Sequence, residues 1–424
     1  MDLGLIEGFY GTPWSFAERT DVVARLAPHG YGFYLYAPKS DGFLRRGWHE
    51  QHPHDIAQSL WQLSVSCREQ GVRFGVGLSP FELYWNFDRQ GGEALRHKIA
   101  MLDEIGIDDL AILFDDMRGD LPALARIQVD IVDFAAAHTG ATRLIVAPTY
   151  YSDDPVLDRF FGQRPEGYLE DLGRMLDPEV EIFWTGPEVC SREYTTDHLE
   201  RVADQLQRKP FLWDNYPVND GPRMSQHLHL RAFSGRPASI DRHIVGHAVN
   251  PASQPTLSLI PALTLAESYA RASAYDESEA FDLAAKQILG SELAALVTAD
   301  LHVLQDVGLD NLGPAAGLLR ARYKEIDHPA AREIVDWLDG AWRVARDTRN
   351  DGGGAVAAMS VRHASVRCSP LLATLCRVTA NTGGQRCRRT SSTSNDRAAR
   401  ACGEERHQPT PAAASAFALA RAIS

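Results

Sequence analysis

The chain has 424 residues, with 43 Lys and Arg against 56 Asp and Glu, a formal net charge of -13. That balance argues against nucleic acid or an anionic membrane as the main partner, and the length allows one large core plus a smaller unit. Of the 6 Cys only Cys67 and Cys190 precede residue 350, so no disulfide framework holds the main fold together.

The opening stretch Met1 to Tyr10 has no basic segment followed by an apolar one, and no later stretch reads as long and apolar enough to span a bilayer. The expected location is therefore cytoplasmic. Short apolar runs then recur at 3–6, 31–36, 72–76, 110–114, 143–147, 180–184, 211–213 and 244–248, and each reads as a strand. Between them, stretches such as 16–26, 56–69, 94–105 and 121–137 place apolar residues at three and four spacing, the pattern of amphipathic helices. Eight such units over this length fit an α/β fold, a TIM-like (β/α)8 barrel over 1–252. A doubly wound open sheet is the other reading, but no G-x-G-x-x-G follows the first strand to support it.

From about residue 256 the period becomes helical throughout. Stretches at 257–272, 277–289, 291–304, 315–325 and 330–346 predict a small all-helical domain over 253–350. Beyond it, 351–424 opens with Asp351-Gly-Gly-Gly354 and carries ten Arg, no Lys and three acidic residues from residue 352 onward, with Cys368, Cys376, Cys387 and Cys402 at spacings unlike a compact zinc site. This basic, low-complexity tail reads as disordered or non-native sequence.

Polar residues cluster just after the predicted strands. Glu7-Gly8, Pro38-Lys39, Ser79-Pro80, Asp115-Asp116, Pro148-Thr149, Thr185-Gly186, Asp214-Asn215 and Asn250-Pro251 all occupy such positions. In a barrel these ends converge on one mouth, where a pocket forms. The pair Asp115-Asp116, ending an apolar strand, is the most informative. An ordinary polar turn and a carboxylate site for a hard cation are alternative readings, the latter with Asp109 or Asp120 nearby in sequence; His52 and His54 are a weak metal signal. Cleavage of a glycosidic bond normally uses two carboxylates on opposite sides of the bond, which neighbouring residues cannot easily provide. Both can serve one sugar if its own 2-acetamido group is the nucleophile: one carboxylate orients the amide N–H while the other protonates the leaving oxygen. Lys39, Tyr150, Tyr151, Trp184, Thr185 and the run Trp213-Asp214-Asn215-Tyr216-Pro217-Val218-Asn219-Asp220 supply the aromatic faces and polar groups that read a sugar, with core packing the alternative for Trp184.

Taken together, Glu7-Gly-Phe-Tyr-Gly-Thr-Pro-Trp14, Tyr36-Ala-Pro-Lys39, Leu113-Phe-Asp-Asp116, Pro148-Thr-Tyr-Tyr151, Trp184-Thr-Gly186, Asn215-Tyr-Pro-Val-Asn-Asp220 and Val249-Asn-Pro251 resemble glycoside hydrolase family 84, the β-N-acetylglucosaminidases that include protein O-GlcNAcases. The resemblance runs in the family's order across roughly residues 3 to 275. It implies a retaining, exo-acting enzyme that removes terminal β-linked N-acetylglucosamine, including from Ser or Thr of proteins, through an oxazoline intermediate and without metal or organic cofactor. By motif match, Asp115 steers the acetamido group and Asp116 is the general acid and later the base. Gly8, Lys39, Asn215, Asp220 and Asn250 match sugar-binding positions, and Tyr151 the contact to the acetamido oxygen. Tyr10, Thr185, Val189 and Trp213 would shape the acetamido pocket or its rim. A homodimer through the helical segment is a further implication.

One departure stands out. Asp214 takes a place where relatives commonly have a second tryptophan before the pocket asparagine. Two other functions fit the same mouth: hyaluronidase-type cleavage, which needs an open groove on both sides of the cut, and a catalytically silent carbohydrate-binding barrel.

Overall fold

The computed structural model describes residues 1–344. Eight parallel strands pair in chain order and close into a barrel where β8 meets β1. They are β1 (Leu3–Glu7), β2 (Tyr31–Tyr36), β3 (Arg73–Leu78), β4 (Asp109–Leu113), β5 (Arg143–Ala147), β6 (Glu181–Trp184), β7 (Phe211–Asp214) and β8 (Gly246–Val249). Every strand expected from the sequence forms, with ends displaced by no more than two residues. The outer layer consists of α1 (Phe16–Leu26), α2 (His54–Glu69), α3 (Arg89–Ile105), α4 (Leu124–Ala136), α5 (Val156–Phe161), α6 (Tyr168–Met175), α7 (Thr196–Leu206) and α8 (Pro255–Arg271). Helix α1 starts where the pattern predicts because Ser15 and Glu18 form a reciprocal cap, each side chain bonded to the other's backbone N–H.

Side chains along each strand alternate between the barrel interior and the helix layer. The interior row is one apolar cluster of Ile6, Phe33, Leu35, Ala37, Ala111, Leu113, Ile145, Ala147, Phe183, Phe211, Trp213 and Ala248. Each large member contributes about 1.5–3 kcal/mol of burial free energy. Below this cluster Arg143 donates to Asp109 (2.7 Å) and Asp2 (2.6 Å) and lies 5.1 Å from the ring centroids of both Phe33 and Phe211. The N-terminal end of the barrel is thus plugged by ion pairs, which leaves the C-terminal end as the way in. Asp109 belongs to this plug, as its place at the start of a strand requires.

Helix α8 is buried along most of its length and packs on α1, closing the ring of helices. The sequence pattern assigned this stretch to the helical region opening at residue 253. We propose instead that the division falls between α8 and the helices that follow, α9 (Glu277–His302), α10 (Ala315–Lys324) and α11 (Pro329–Leu338). The two parts are tightly joined. Glu333 of α11 accepts the N–H groups of Thr256 (2.8 Å) and Leu257 (2.9 Å) at the start of α8, and burial pushes its carboxyl up to about 7. Trp337 donates to Ser225 O (3.2 Å), and Gln305 accepts from the N–H groups of Leu230 and Arg231 (2.9 Å each), so the helical segment braces the long β7–β8 connection.

The segment Glu277–Val307 contains an 18-residue stretch with a mean hydropathy of 1.2 and is long and apolar enough, by length and composition, to cross a bilayer. The expectation that no stretch qualifies is corrected accordingly. Its residues Phe281, Ala284, Ala285, Ile288 and Leu289 are buried, and Gly290, at φ 74° and ψ 163°, breaks it where the sequence pattern places a division. The expected tail at 351–424, and the end of the helix predicted to reach residue 346, lie outside the described residues.

Candidate active site

The interior rows dictate which residues reach the mouth. Gly8, Lys39, Asp115, Thr185, Asn215 and Asn250 each stand two places beyond the last apolar interior residue of their strand, and all six line one cavity. Together with the open solvent at its mouth, the empty space there amounts to about 740 Å³. Tyr10, Asp116, Tyr151, Val189, Trp213 and Asp220 complete the set expected from the sequence, and every one of them lines the same cavity.

Alternation alone would send Asp116 outward beside Phe114, which is buried in the exterior core. Asp116 instead has φ 59°, in the left-handed region that costs most L-residues about 1–2 kcal/mol and that Asp tolerates better than most. This bend returns the second carboxylate to the cavity.

The two acids have unequal surroundings. Lys39 Nζ forms a buried ion pair with Asp115 Oδ2 and stands 5.6 Å from the Trp213 ring centroid. The other oxygen, Asp115 Oδ1, is buried without a hydrogen-bond donor among the described residues. Asp116 accepts from Tyr10 OH (2.5 Å) at Oδ2 and from Tyr151 OH (3.3 Å) at Oδ1. Burial, reinforced by the charge on Asp115, holds the Asp116 carboxyl above the usual range, against the opposing pull of Lys39, Arg45 and the Tyr10 hydrogen bond. The arrangement separates one carboxylate paired with a cation from one held by hydroxyl donors.

The polar wall is fixed before any ligand enters. Asn250 accepts Gly8 N–H (3.1 Å) and donates to Asn215 Oδ1 (2.9 Å), which also accepts Trp213 Nε1–H (3.0 Å). Asn215 then donates to Val189 O (2.8 Å). Asp220 accepts Tyr10 N–H (2.7 Å), and burial raises its carboxyl to about 6. Gly8 is required here because a Cβ would lie 2.4 Å from Trp213 Cζ2.

Several residues at the mouth in sequence do not reach the cavity. Glu7 points outward to Arg19 (2.7 Å to each oxygen) and accepts from Tyr34 OH. Asp214 is fully buried against Arg236 (2.8 and 2.7 Å) and His247 (3.0 Å), and these partners hold its carboxyl below the usual range despite burial. An outward position with these partners explains how an aspartate is accommodated at the end of β7. Trp184 is core, bonded through Nε1 to His198 (3.0 Å), and Tyr150 donates away from the cavity to Gly162 O (2.6 Å). Asp120 pairs with Arg118 at the surface and His52 pairs with Asp41, so neither joins the two acids. Among the described residues no group of three His, Cys, Asp or Glu is arranged to hold a metal ion.

The cavity also takes in Ala147, Phe183, Cys190, Val218, Gly221 and Met224. Alternation along β5 and β6 would have found Ala147 and Phe183. Val218 lies within the run Trp213 to Asp220 singled out in the sequence, whereas Cys190, Gly221 and Met224 sit on connections without a period and no sequence signal marks them.

A family model described as beta-N-acetylglucosaminidase matches residues 3–301. The protein O-GlcNAcases of Mus musculus and Rattus norvegicus are each 29% identical over 276 residues, which is 63% of this chain and 30% of theirs. The chain thus spans about 30% of the length of these curated relatives. A mutant of the Thermobaculum terrenum O-GlcNAc hydrolase superposes with a TM-score of 0.63 and 28% identity, covering 87% of this chain and 78% of that one. CpGH84B gives a TM-score of 0.62 and 25% identity over 86% and 61% of the two chains. A closed barrel matched by that model through its eight strands and into α9 belongs to the β-N-acetylglucosaminidases of glycoside hydrolase family 84, and the chain is a glycoside hydrolase of that family.

Proposed function

We propose that the protein is a retaining exo-β-N-acetylglucosaminidase that removes terminal β-linked N-acetylglucosamine, including from Ser and Thr of proteins. The observation that supports this most is the convergence of two adjacent, unequal carboxylates on one cavity. Asp115, ion-paired with Lys39, offers its unpaired Oδ1 to the acetamido N–H of a bound sugar. That contact turns the acetamido oxygen toward C1. As the oxygen attacks, the C1–O bond breaks and Asp116 delivers its proton to the leaving oxygen, giving the free alcohol and an oxazolinium ion, the protonated oxazoline whose N–H stays hydrogen-bonded to Asp115. Asp116, now ionised, takes a proton from water as the water attacks C1, and the ring opens to N-acetylglucosamine with its original configuration. Tyr10 and Tyr151 hold Asp116 in place through both steps. Asn215 and Asn250 are fixed by their mutual hydrogen bond to read hydroxyls, and Thr185, Val189 and Trp213 bound the space for the acetyl methyl.

The test compares the parent with Asp115→Asn and Asp116→Asn on two β-N-acetylglucosaminides, one aryl with a good leaving group and one alkyl. Asp116→Asn should lower kcat/KM about 10²–10⁴-fold on the alkyl glycoside and far less on the aryl one. Asp115→Asn should impair both, because the internal nucleophile is needed whatever departs. Full activity of Asp116→Asn on the alkyl glycoside would sink this reading.

A further inference from the structure

Arg45 stands just outside the sugar cavity, behind the acid. Its guanidinium carbon is 5.4 Å from the Tyr10 ring centroid, and Tyr10 is the residue whose hydroxyl holds Asp116. Arg45 Nε is buried with no hydrogen-bond acceptor among the described residues. Lys39 and Arg118 are in direct ion pairs with Asp115 and Asp120, whereas Arg45 is attracted by Tyr10, Asp116 and Asp115 without a direct ion pair among the described residues. Arg46, next along the chain, is exposed, and both guanidiniums flank Phe81, at 5.9 Å and 5.0 Å from its ring centroid.

The loop that carries these arginines is rigid. Asp41 caps Phe43 N–H (2.9 Å), accepts Tyr36 OH (2.9 Å) and pairs with His52 (3.0 Å). Ser79 N–H donates to Leu44 O (2.8 Å), Lys98 Nζ donates to Glu50 O (2.9 Å), and Leu44 and Trp48 are buried beneath. A guanidinium held in place without a carboxylate partner binds an anion at little further entropic loss. The oxygen that Asp116 protonates must lie about 3 Å from it, so the atoms bonded to that oxygen leave the cavity along its rim.

We propose that Arg45, with Arg46 and Phe81, is an aglycone subsite for a carboxylate, and that the aglycone it takes is a polypeptide segment with Asp or Glu close to the glycosylated Ser or Thr. This rests on the proposed function, which supplies the polypeptide. The subsite also touches the chemistry. A carboxylate on Arg45 offsets the positive field that pulls protons from Asp116 during the first step, and its departure with the product restores that field when Asp116 must act as a base.

The test measures kcat/KM of the full chain on two peptides with one O-linked N-acetylglucosaminyl serine, identical except for Asp or Asn two residues away. At low salt the parent should favour the Asp peptide about fivefold, and the ratio should fall toward one in about 0.5 M salt. Arg45→Gln should abolish the preference and Arg45→Lys should keep part of it. If Arg45→Gln does not fold, a reduced ratio in Arg46→Gln together with the salt dependence of the parent supports the subsite. Equal rates on the two peptides, or a ratio unchanged in Arg45→Gln, overturn it. So does faster cleavage of N-acetylglucosamine β-linked to a uronic acid than of the Asp peptide. A neutral aryl β-N-acetylglucosaminide separates the two readings: inactivity on it removes the proposed function, whereas activity on it with a peptide ratio of one removes the subsite alone.

Discussion

The ammonium of Lys39 is paired with Asp115 and not with Asp116, so two carboxylates on consecutive residues meet a single cation. Asp116 is left with hydroxyl donors, Tyr10 and Tyr151, and with the unfavourable charge of its neighbour. One residue of sequence separation thereby becomes a difference in surroundings, and in those of Asp116 burial holds the carboxyl above its usual range.

That difference can be read in the pH dependence of Tyr10→Phe. An acid must be protonated to act, so kcat/KM falls as pH rises through the Asp116 pKa. The Tyr10 hydrogen bond lowers that pKa, and its removal leaves burial and Asp115 less opposed. The alkaline limb of Tyr10→Phe should therefore move to higher pH, with kcat/KM at the optimum reduced about tenfold by looser positioning. A pH–rate profile on an alkyl β-N-acetylglucosaminide checks it, and an alkaline limb displaced downward would contradict the assignment of Asp116 as the acid.

Gly8→Ala tests the packing of the cavity wall. The new methyl group would overlap Trp213, whose indole N–H fixes Asn215. Stability should drop by about 1–3 kcal/mol, measured by urea unfolding, and KM should rise as Trp213 and Asn215 are displaced. An unchanged KM would mean that Trp213 yields without disturbing the asparagine.

Arg236→Met removes the cation from a fully buried carboxylate. Asp214 keeps only His247 as a partner in that variant, and the loss should be about 3–5 kcal/mol of unfolding free energy. Adding Asp214→Asn should recover part of it, because the stranded charge disappears with the second substitution. Denaturant titration of the single and double variants measures the coupling, and a double variant less stable than Arg236→Met would refute this account.

Strand periodicity made the barrel legible because it reports two environments at once. Ile6, Leu113 and Ala248 mark the interior, and counting two onward finds Gly8, Asp115 and Asn250. The same count applied strictly would have turned Glu7 and Asp214 outward, yet charge at a strand end drew both into the expected mouth. Their partners, Arg19 and Arg236, are far enough along the chain that no local pattern links them. Asp116 enters the cavity by a left-handed bend that periodicity does not encode. Arg45, Cys190 and Met224 sit on connections where position is set by tertiary contacts such as the burial of Leu44 and Trp48, and sequence spacing carries no information about them. The place we propose for α8 is not legible in the sequence for another reason: a helix buried nearly all round looks the same whether it closes a ring or opens a bundle.

Glu333 gives that helix a second owner. Its carboxylate on α11 terminates the backbone of α8 only a few residues after Asn250 has entered the cavity wall. A chain cut after α8, at what looks like a natural seam, would keep every residue that lines the cavity and still lose the clasp at the start of that helix. The smallest autonomous catalytic unit is therefore longer than the barrel, and shortening the protein from its helical end should cost activity before it removes any group that touches substrate.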